Sequence, residues 1–180
     1  EELAPSSISR LVQSDDVAFR AEFAAGVPAN PDLYWRVHVM DQFDGRAWRA
    51  SQTLRAYTGK NTGEGPATRY TLTIEPHDKH WLFALETPDA RTLPAATRLT
   101  ANLRMLADNP IRQRTRITLS AILGDTHPAP HNEAELARAL QLPEGTNPRT
   151  RALAAQLVAQ GGNAEDLARR VLDMIREQPF

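Results

Sequence analysis

The cleanest alternation of polar and apolar positions runs through residues 69–75. Tyr70, Leu72 and Ile74 are apolar, and Arg69, Thr71, Thr73 and Glu75 separate them. A period of two sends alternate side chains to opposite faces, so this segment predicts a strand with one face buried and one wet. The same period recurs elsewhere. Val17, Phe19, Ala21 and Phe23 alternate with Ala18, Arg20 and Glu22, and the run ends at Gly26 and the prolines Pro28 and Pro31. Trp81, Phe83 and Leu85 repeat it after a turn at residues 76–79. Leu99, Ala101, Leu103 and Met105 do so against Thr100, Asn102 and Arg104, as do Ile117, Leu119 and Ala121 against Arg116, Thr118 and Ser120. Trp35, Val37 and Val39 fall on one face of a further strand, with Tyr34, Arg36 and His38 on the other. Asp44-Gly45 is a strong turn signal, since Gly takes the positive φ of a tight hairpin. Beyond that turn Trp48 is expected to return to the face of Trp35. Half-polar strands at short intervals predict a mainly β fold, an antiparallel β-sandwich or partly open barrel. Residues 60–66, with Gly59, Gly63 and Gly65, read as a loop.

From Asn132 the period becomes helical. Asn132 is placed to cap a short helix holding Leu136 and Leu140. Residues 143–146 read as a linker. Asn147 is expected to cap the next helix, with Pro148 in its first turn. Leu153, Leu157 and Val158 form one stripe. Gly161-Gly162 ends that helix and Asn163 caps another, whose stripe is Leu167, Ala168, Val171, Leu172 and Ile175. Helices this short need packing partners to be stable.

Composition narrows the classes. The chain has 180 residues, 41% of them hydrophobic, a net charge of −1 and no cysteine. A chain of this length buries roughly 70% of its unfolded surface, enough for a core. The charge balance leaves no bulk field for nucleic acid or an anionic membrane. Without cysteine there is no disulfide framework, thiolate metal site or thiol nucleophile in these residues. No apolar run is long enough to span a bilayer, and no signal-peptide pattern is read in these residues. Both ends read as cut points in a longer protein.

Specific residues add to this reading. The order Tyr34-Trp35-Arg36, Phe43-Asp44-Gly45 and Trp48 is unusual, and resembles the start of the extracytoplasmic region of bacterial TgpA-type transglutaminase-like proteins. Ser9-Arg10-Leu11 with residues 14–20 looks like that family's opening strand. Residues 70–76 followed by 81–85 look like its next hairpin. Residues 140–143 with Asn147-Pro148-Arg149 look like its link into a catalytic domain. The resemblance implies membrane-spanning helices flanking a papain-like α+β transglutaminase domain with a Cys-His-Asp triad, on the periplasmic side of the inner membrane. None of the triad can be carried onto this cysteine-free chain. The expected domains are therefore a β-sandwich-like accessory domain at 8–142 and, at 147–180, two helices opening a truncated transglutaminase-like domain.

Other candidate chemistry has a simpler account in each case. His127 and His131 stand four apart with Asp125 and Glu133 nearby, a metal-ligand spacing on a helix. Pro128 and Pro130 prevent that helix, so a solvated linker is expected. His77, Asp78 and His80 read as exposed turn residues. Asp41 and Asp44 beside Trp35 and Trp48 suggest a glycosidase pair, which needs carboxyls roughly 5 to 9.5 Å apart and one acid held protonated. Turn chemistry explains both aspartates more directly. There is no nucleophile elbow and no Gly-rich phosphate loop. Arg112, Arg114 and Arg116 lack the interleaved aromatics of a nucleic-acid platform and read as a wet sheet face.

The expectation is a catalytically inert accessory domain, with no catalytic, cofactor or metal residues of its own. Its partner would be the C-terminal transglutaminase-like domain of the same protein. It would meet the membrane only through segments outside these residues, and would not bind nucleic acid. Self-association through Leu153, Leu157, Leu167, Val171 and Ile175 is a further expectation. The competing reading is a stand-alone glycan- or peptide-binding β-sandwich module using Trp35, Trp48 and Trp81, which needs at least two exposed coplanar rings.

Overall fold

The computed structural model describes residues 2–4, 16–51, 55–58, 66–85, 87–124 and 133–177. The chain divides into two compact units, Glu1–Gln141 and Leu142–Phe180.

The first unit is mainly β and antiparallel. Its principal sheet has the order β10 (Thr115–Ile122), β6 (Ala67–Ile74) and β2 (Phe19–Phe23). Leu72 stands opposite Ile117 on one side and Ala21 on the other, and Tyr70 opposite Leu119 and Phe23. That register puts Phe19, Ala21, Phe23, Tyr70, Leu72, Ile74, Ile117, Leu119 and Ala121 on one face, as the period of two requires; at the strand ends the paired Ala67 and Ile122 fall on the other. Tyr70, Leu72 and Ile74 are almost wholly buried there. The other face carries Arg20, Glu22, Thr71, Thr73, Arg116 and Thr118. It is laced by Arg116–Glu22 at 2.8 Å, Arg20–Glu75 at 3.3 Å and Arg114–Glu75 at 3.1 Å. Exposed pairs of this kind add little stability each, but keep a sheet face soluble.

Short strand pairs cover the apolar face. β3 (Trp35–Arg36) pairs with β7 (Ala84–Leu85), and β8 (Thr97–Leu99) with β9 (Met105–Ala107). They bring Leu82, Ala84, Leu85, Leu99, Leu103 and Met105 onto Tyr70, Leu72 and Ile74 in one core. A third small sheet joins β1 (Glu2–Leu3), β5 (Trp48–Arg49) and β4 (Gln42–Phe43). Helix α1 (Glu133–Ala139) closes the unit, and Glu135 holds Arg55 through two hydrogen bonds of 2.7 and 2.9 Å.

Several local expectations change. Residues 70–76 and 81–85 are not a hairpin. The backbone of residues 79–82 bonds instead to 105–111, with the Leu82 N–H on Met105 O and the Ala107 N–H on His80 O. Leu82 and Ala84 are consequently fully buried, whereas Trp81 and Phe83 are half-buried. The expected strand 99–105 is a hairpin. Thr100 and Arg104 bond across its turn and Leu103 adopts φ 61°, although Leu99, Ala101, Leu103 and Met105 are all buried. The strand through Trp35 stops at Arg36, and Val37 O accepts from Arg104 Nε rather than from a neighbouring strand. Trp35 itself is half-buried, not buried.

The second unit contains α2 (Pro148–Ala159) and α3 (Ala164–Glu177). Pro148 occupies the first turn of α2 as expected, but Asn147 does not cap it by its side chain. Asn147 sits at φ 52°, ψ 53°, and only its carbonyl enters the helix, accepting from the Arg151 N–H. Asn163 does cap α3: its Oδ1 accepts from the Asp166 N–H, and the Asp166 carboxylate accepts from the Asn163 N–H, both at 3.0 Å. This reciprocal arrangement satisfies two donors that a helix start would leave open. No residue of either helix is buried. Ala154, Leu157, Val158, Leu167, Ala168, Val171 and Leu172 line an open apolar groove of about 450 Å³. Among the described residues, no helix is long and apolar enough to cross a membrane.

Candidate functional site

The acidic pair is built as a turn. After β4 the chain reverses at Asp44, whose Oδ1 accepts from the N–H groups of Arg46 at 2.9 Å and Ala47 at 2.8 Å. Its other oxygen binds the Arg49 guanidinium, which also holds Glu2 at 3.0 Å. The Ala47 and Arg46 amides, then the arginine, lower the Asp44 pKa to about 2. A general acid for glycoside cleavage needs the opposite shift. Asp41 accepts the Ser51 N–H at 2.7 Å, pinning the strand end beyond the hairpin. Both aspartates therefore do backbone work. The charged Asp44 stabilises the hairpin fully above its unfolded-state pKa near 3.8, and that contribution is lost as pH falls through about 2. A carbon-detected NMR titration should place Asp44 near pH 2; a midpoint at or above 4 would restore it as a candidate acid.

The three tryptophans do not form a platform. Trp35 lies against Phe19 at 4.8 Å and Tyr70 at 5.7 Å, both edge-on. Phe19 stacks on Phe83 at 4.2 Å, and Phe83 meets Trp81 edge-on at 5.3 Å. A continuous aromatic chain thus runs from Tyr70 to Trp81 along the core. Trp48 is elsewhere, stacked on Phe43 at 4.9 Å in the small sheet, 37% exposed. It does not return to the face of Trp35, because its strand pairs with β1 and β4 and not with β3. Face-to-face stacking on Phe43 also covers one side of the ring a sugar would use.

Asp78 and His80 are exposed turn residues as expected, but His77 is half-buried. The His77 ring stacks on Trp81 at 3.8 Å with planes 9° apart, and His80 Nδ1 donates to Ala107 O at 3.0 Å. His38 meets the other side of this group, edge-on to Trp81 at 5.3 Å, with Arg104 Nη2 3.3 Å from its Nδ1. Arginine only donates, so that nitrogen accepts and the proton of a neutral His38 ring sits on Nε2. No local pattern announces this grouping, since it joins residues 38, 77, 81 and 104 across three segments. Asp78 pairs with Arg112 at 2.9 Å. Arg112, Arg114 and Arg116 each hold a carboxylate partner, as a wet sheet face requires. His127, His131 and Asp125 lie outside the described residues, and Glu133 opens α1. Among the described residues, no group of three or more His, Asp or Glu side chains is placed to hold a metal ion.

Among the described residues, the groove of the second unit is lined by aliphatic side chains alone, and an open hollow on the first unit is lined by Glu22, Arg69, Thr71 and Thr118. The described residues of the first unit present a closed core, a turn whose Asp44 shares Arg49 with Glu2, and a sheet face laced by ion pairs.

Comparison with known proteins places this architecture. A protein-glutamine gamma-glutamyltransferase of Pseudomonas aeruginosa is 32% identical over 184 residues, covering 100% of this chain and 27% of that protein. The crystal structure of the periplasmic domain of TgpA from Pseudomonas aeruginosa matches 100% of the chain with a TM-score of 0.85 at 30% identity. The same domain bound to ethylmercury matches with a TM-score of 0.84 at 31% identity. The chain spans about a quarter of the length of the curated relative, and 62% and 63% of the two solved chains. The sequence family described as the TgpA N-terminal domain matches residues 1–126, and the chain belongs to that family.

Proposed function

We propose that this chain is the non-catalytic β-domain of a longer transglutaminase-like enzyme, together with the two helices that open its catalytic domain. The observation that carries the proposal is the reach of the similarity. The whole chain, helices included, aligns with a protein-glutamine gamma-glutamyltransferase, yet it has no cysteine to act as a nucleophile. On this reading a Cys-His-Asp triad beyond residue 180 attacks glutamine amides of peptides or proteins, and residues 8–142 support or orient that domain. The domain works on the periplasmic side of the bacterial inner membrane, anchored by segments outside these residues. The exposed apolar positions of α2 and α3 support the same reading. Leu153, Val158, Leu172 and Ile175 are each at least about a third exposed, and burying such side chains is worth roughly 1.5 to 3 kcal/mol each. The following part of the catalytic domain is the natural cover for them. In its absence a second copy would take that place, through Leu153, Leu157, Leu167, Val171 and Ile175.

The test is incorporation of a primary-amine probe into a glutamine-rich protein. The 180-residue chain should give none. The parent protein should give turnover that disappears when its nucleophilic cysteine is changed to serine. Turnover by the chain alone, reduced by Asp41→Asn or Asp44→Asn, would instead make it an independent enzyme.

A further inference from the structure

Residues 142–147, Leu-Pro-Glu-Gly-Thr-Asn, carry no regular structure and have the composition of a loose tether. In the structure the Arg151 side chain does most of the fastening. Arg151, in the first turn of α2, reaches back over the segment. Its Nε donates to Thr146 O at 2.9 Å, and its Nη2 donates to Pro143 O at 2.8 Å and Leu142 O at 3.3 Å. The Thr146 hydroxyl donates to the same Pro143 carbonyl at 2.7 Å, and the Arg151 N–H donates to Asn147 O at 3.0 Å. Gly145 at φ 72° and Asn147 at φ 52° bend the backbone so that these carbonyls converge. Gly145 takes positive φ freely, but at Asn147 that conformation has a cost that an unrestrained tether would not bear.

A guanidinium suits this task. It is always charged, has five donors in a fixed planar fork and accepts nothing, so it can bridge several carbonyls at once. An ammonium group is a compact point charge and does not span the same set. Charge-assisted bonds are also the stronger kind.

We propose that Arg151 is a positioning residue that straps the link to α2. Residues 142–147 then move with α2 as one body. The strap converts a sequence that reads as six flexible residues into a rigid extension of a helix. This does not depend on the function proposed above, because it rests only on the geometry of residues 142–151.

Glutamyl endopeptidase, which cuts after glutamate, reads the strap directly. Glu144 lies at the tip of the link, while Glu165 lies in the first turn of α3 and serves as an internal reference. In the 180-residue chain, Arg151→Ala should speed cleavage after Glu144 by about tenfold, as the open link becomes more populated. Cleavage after Glu165 and the helical circular dichroism should not change. Arg151→Lys should fall between, since it keeps the charge without the fork. If Arg151→Ala loses its helical signal, Arg151→Lys carries the comparison alone, with Glu144 faster and Glu165 unchanged. Equal rates after Glu144 in the variants and the unaltered chain would overturn the strap. So would an equal rise at both glutamates, which would mean that Arg151 stabilises the helices and not the link.

Discussion

Leu72→Ala is expected to lower the unfolding free energy of the first unit by about 2 to 5 kcal/mol, the range for truncating an aliphatic side chain in a closed core. Leu72 is 0% exposed at the centre of β6, between Ala21 on β2 and Ile117 on β10. The small Ala21 leaves no large neighbour on that side to collapse into the space. The loss should therefore lie in the upper half of the range. Urea unfolding followed by tryptophan emission measures it, because Trp35 and Trp81 both pack along the same core. A shift of less than about 1 kcal/mol would mean that the three-stranded sheet is not the stabilising centre of the unit.

Tyr70→Phe tests how the principal sheet is joined to the layer above it. The Tyr70 hydroxyl accepts the buried Leu85 N–H at 3.0 Å, so one side chain of β6 satisfies a backbone donor of β7. Phenylalanine fills the same space but leaves that donor without a partner, which should cost about 1 to 3 kcal/mol. The effect is smaller than that of Leu72→Ala and of different origin. It should appear with little change in the denaturant slope, since the buried area is the same. Alkali offers a second reading of this group. Burial raises the Tyr70 pKa well above its usual value of 10. The neutral phenol therefore contributes stability that is complete below pH 10 and is lost as pH rises toward the folded-state value. Tyr70→Phe should lose that part of the alkaline dependence. A variant as stable as the parent chain would show that water or a shifted backbone serves Leu85 instead.

The legible parts of this protein were those with a strict local period. Residues 69–74 and 116–121 alternate without interruption, and both form the strands and buried faces that the alternation predicts. The C-terminal stripes likewise lie on helices with the expected breaks, because Pro148, Gly161-Gly162 and Asn163 act through their own backbone chemistry. The reading of Asp44 as a turn residue was equally local. The misread elements share a different cause. Residues 81–85 and 99–105 have the right side chains for strands, and most of them are buried, but alternation records faces and not partners. In 99–105 the chain reverses at a left-handed Leu103, which no propensity favours. In 79–82 the backbone bonds to β9 instead of returning to β6.

The sequence by itself determined the class of the molecule: antiparallel strands with one wet face, two C-terminal helices with exposed apolar stripes, and no thiol chemistry within its 180 residues. Tertiary structure alone decided which strands pair, and with that where each tryptophan goes. Trp35 joins the core through β3 and β7, Trp48 is carried out to a separate small sheet, and Trp81 is held between His77 and His38. The physical reason is that a period of two is written into neighbouring residues. Pairing is a long-range competition settled by which apolar faces pack best and which backbone groups would otherwise stay unbonded.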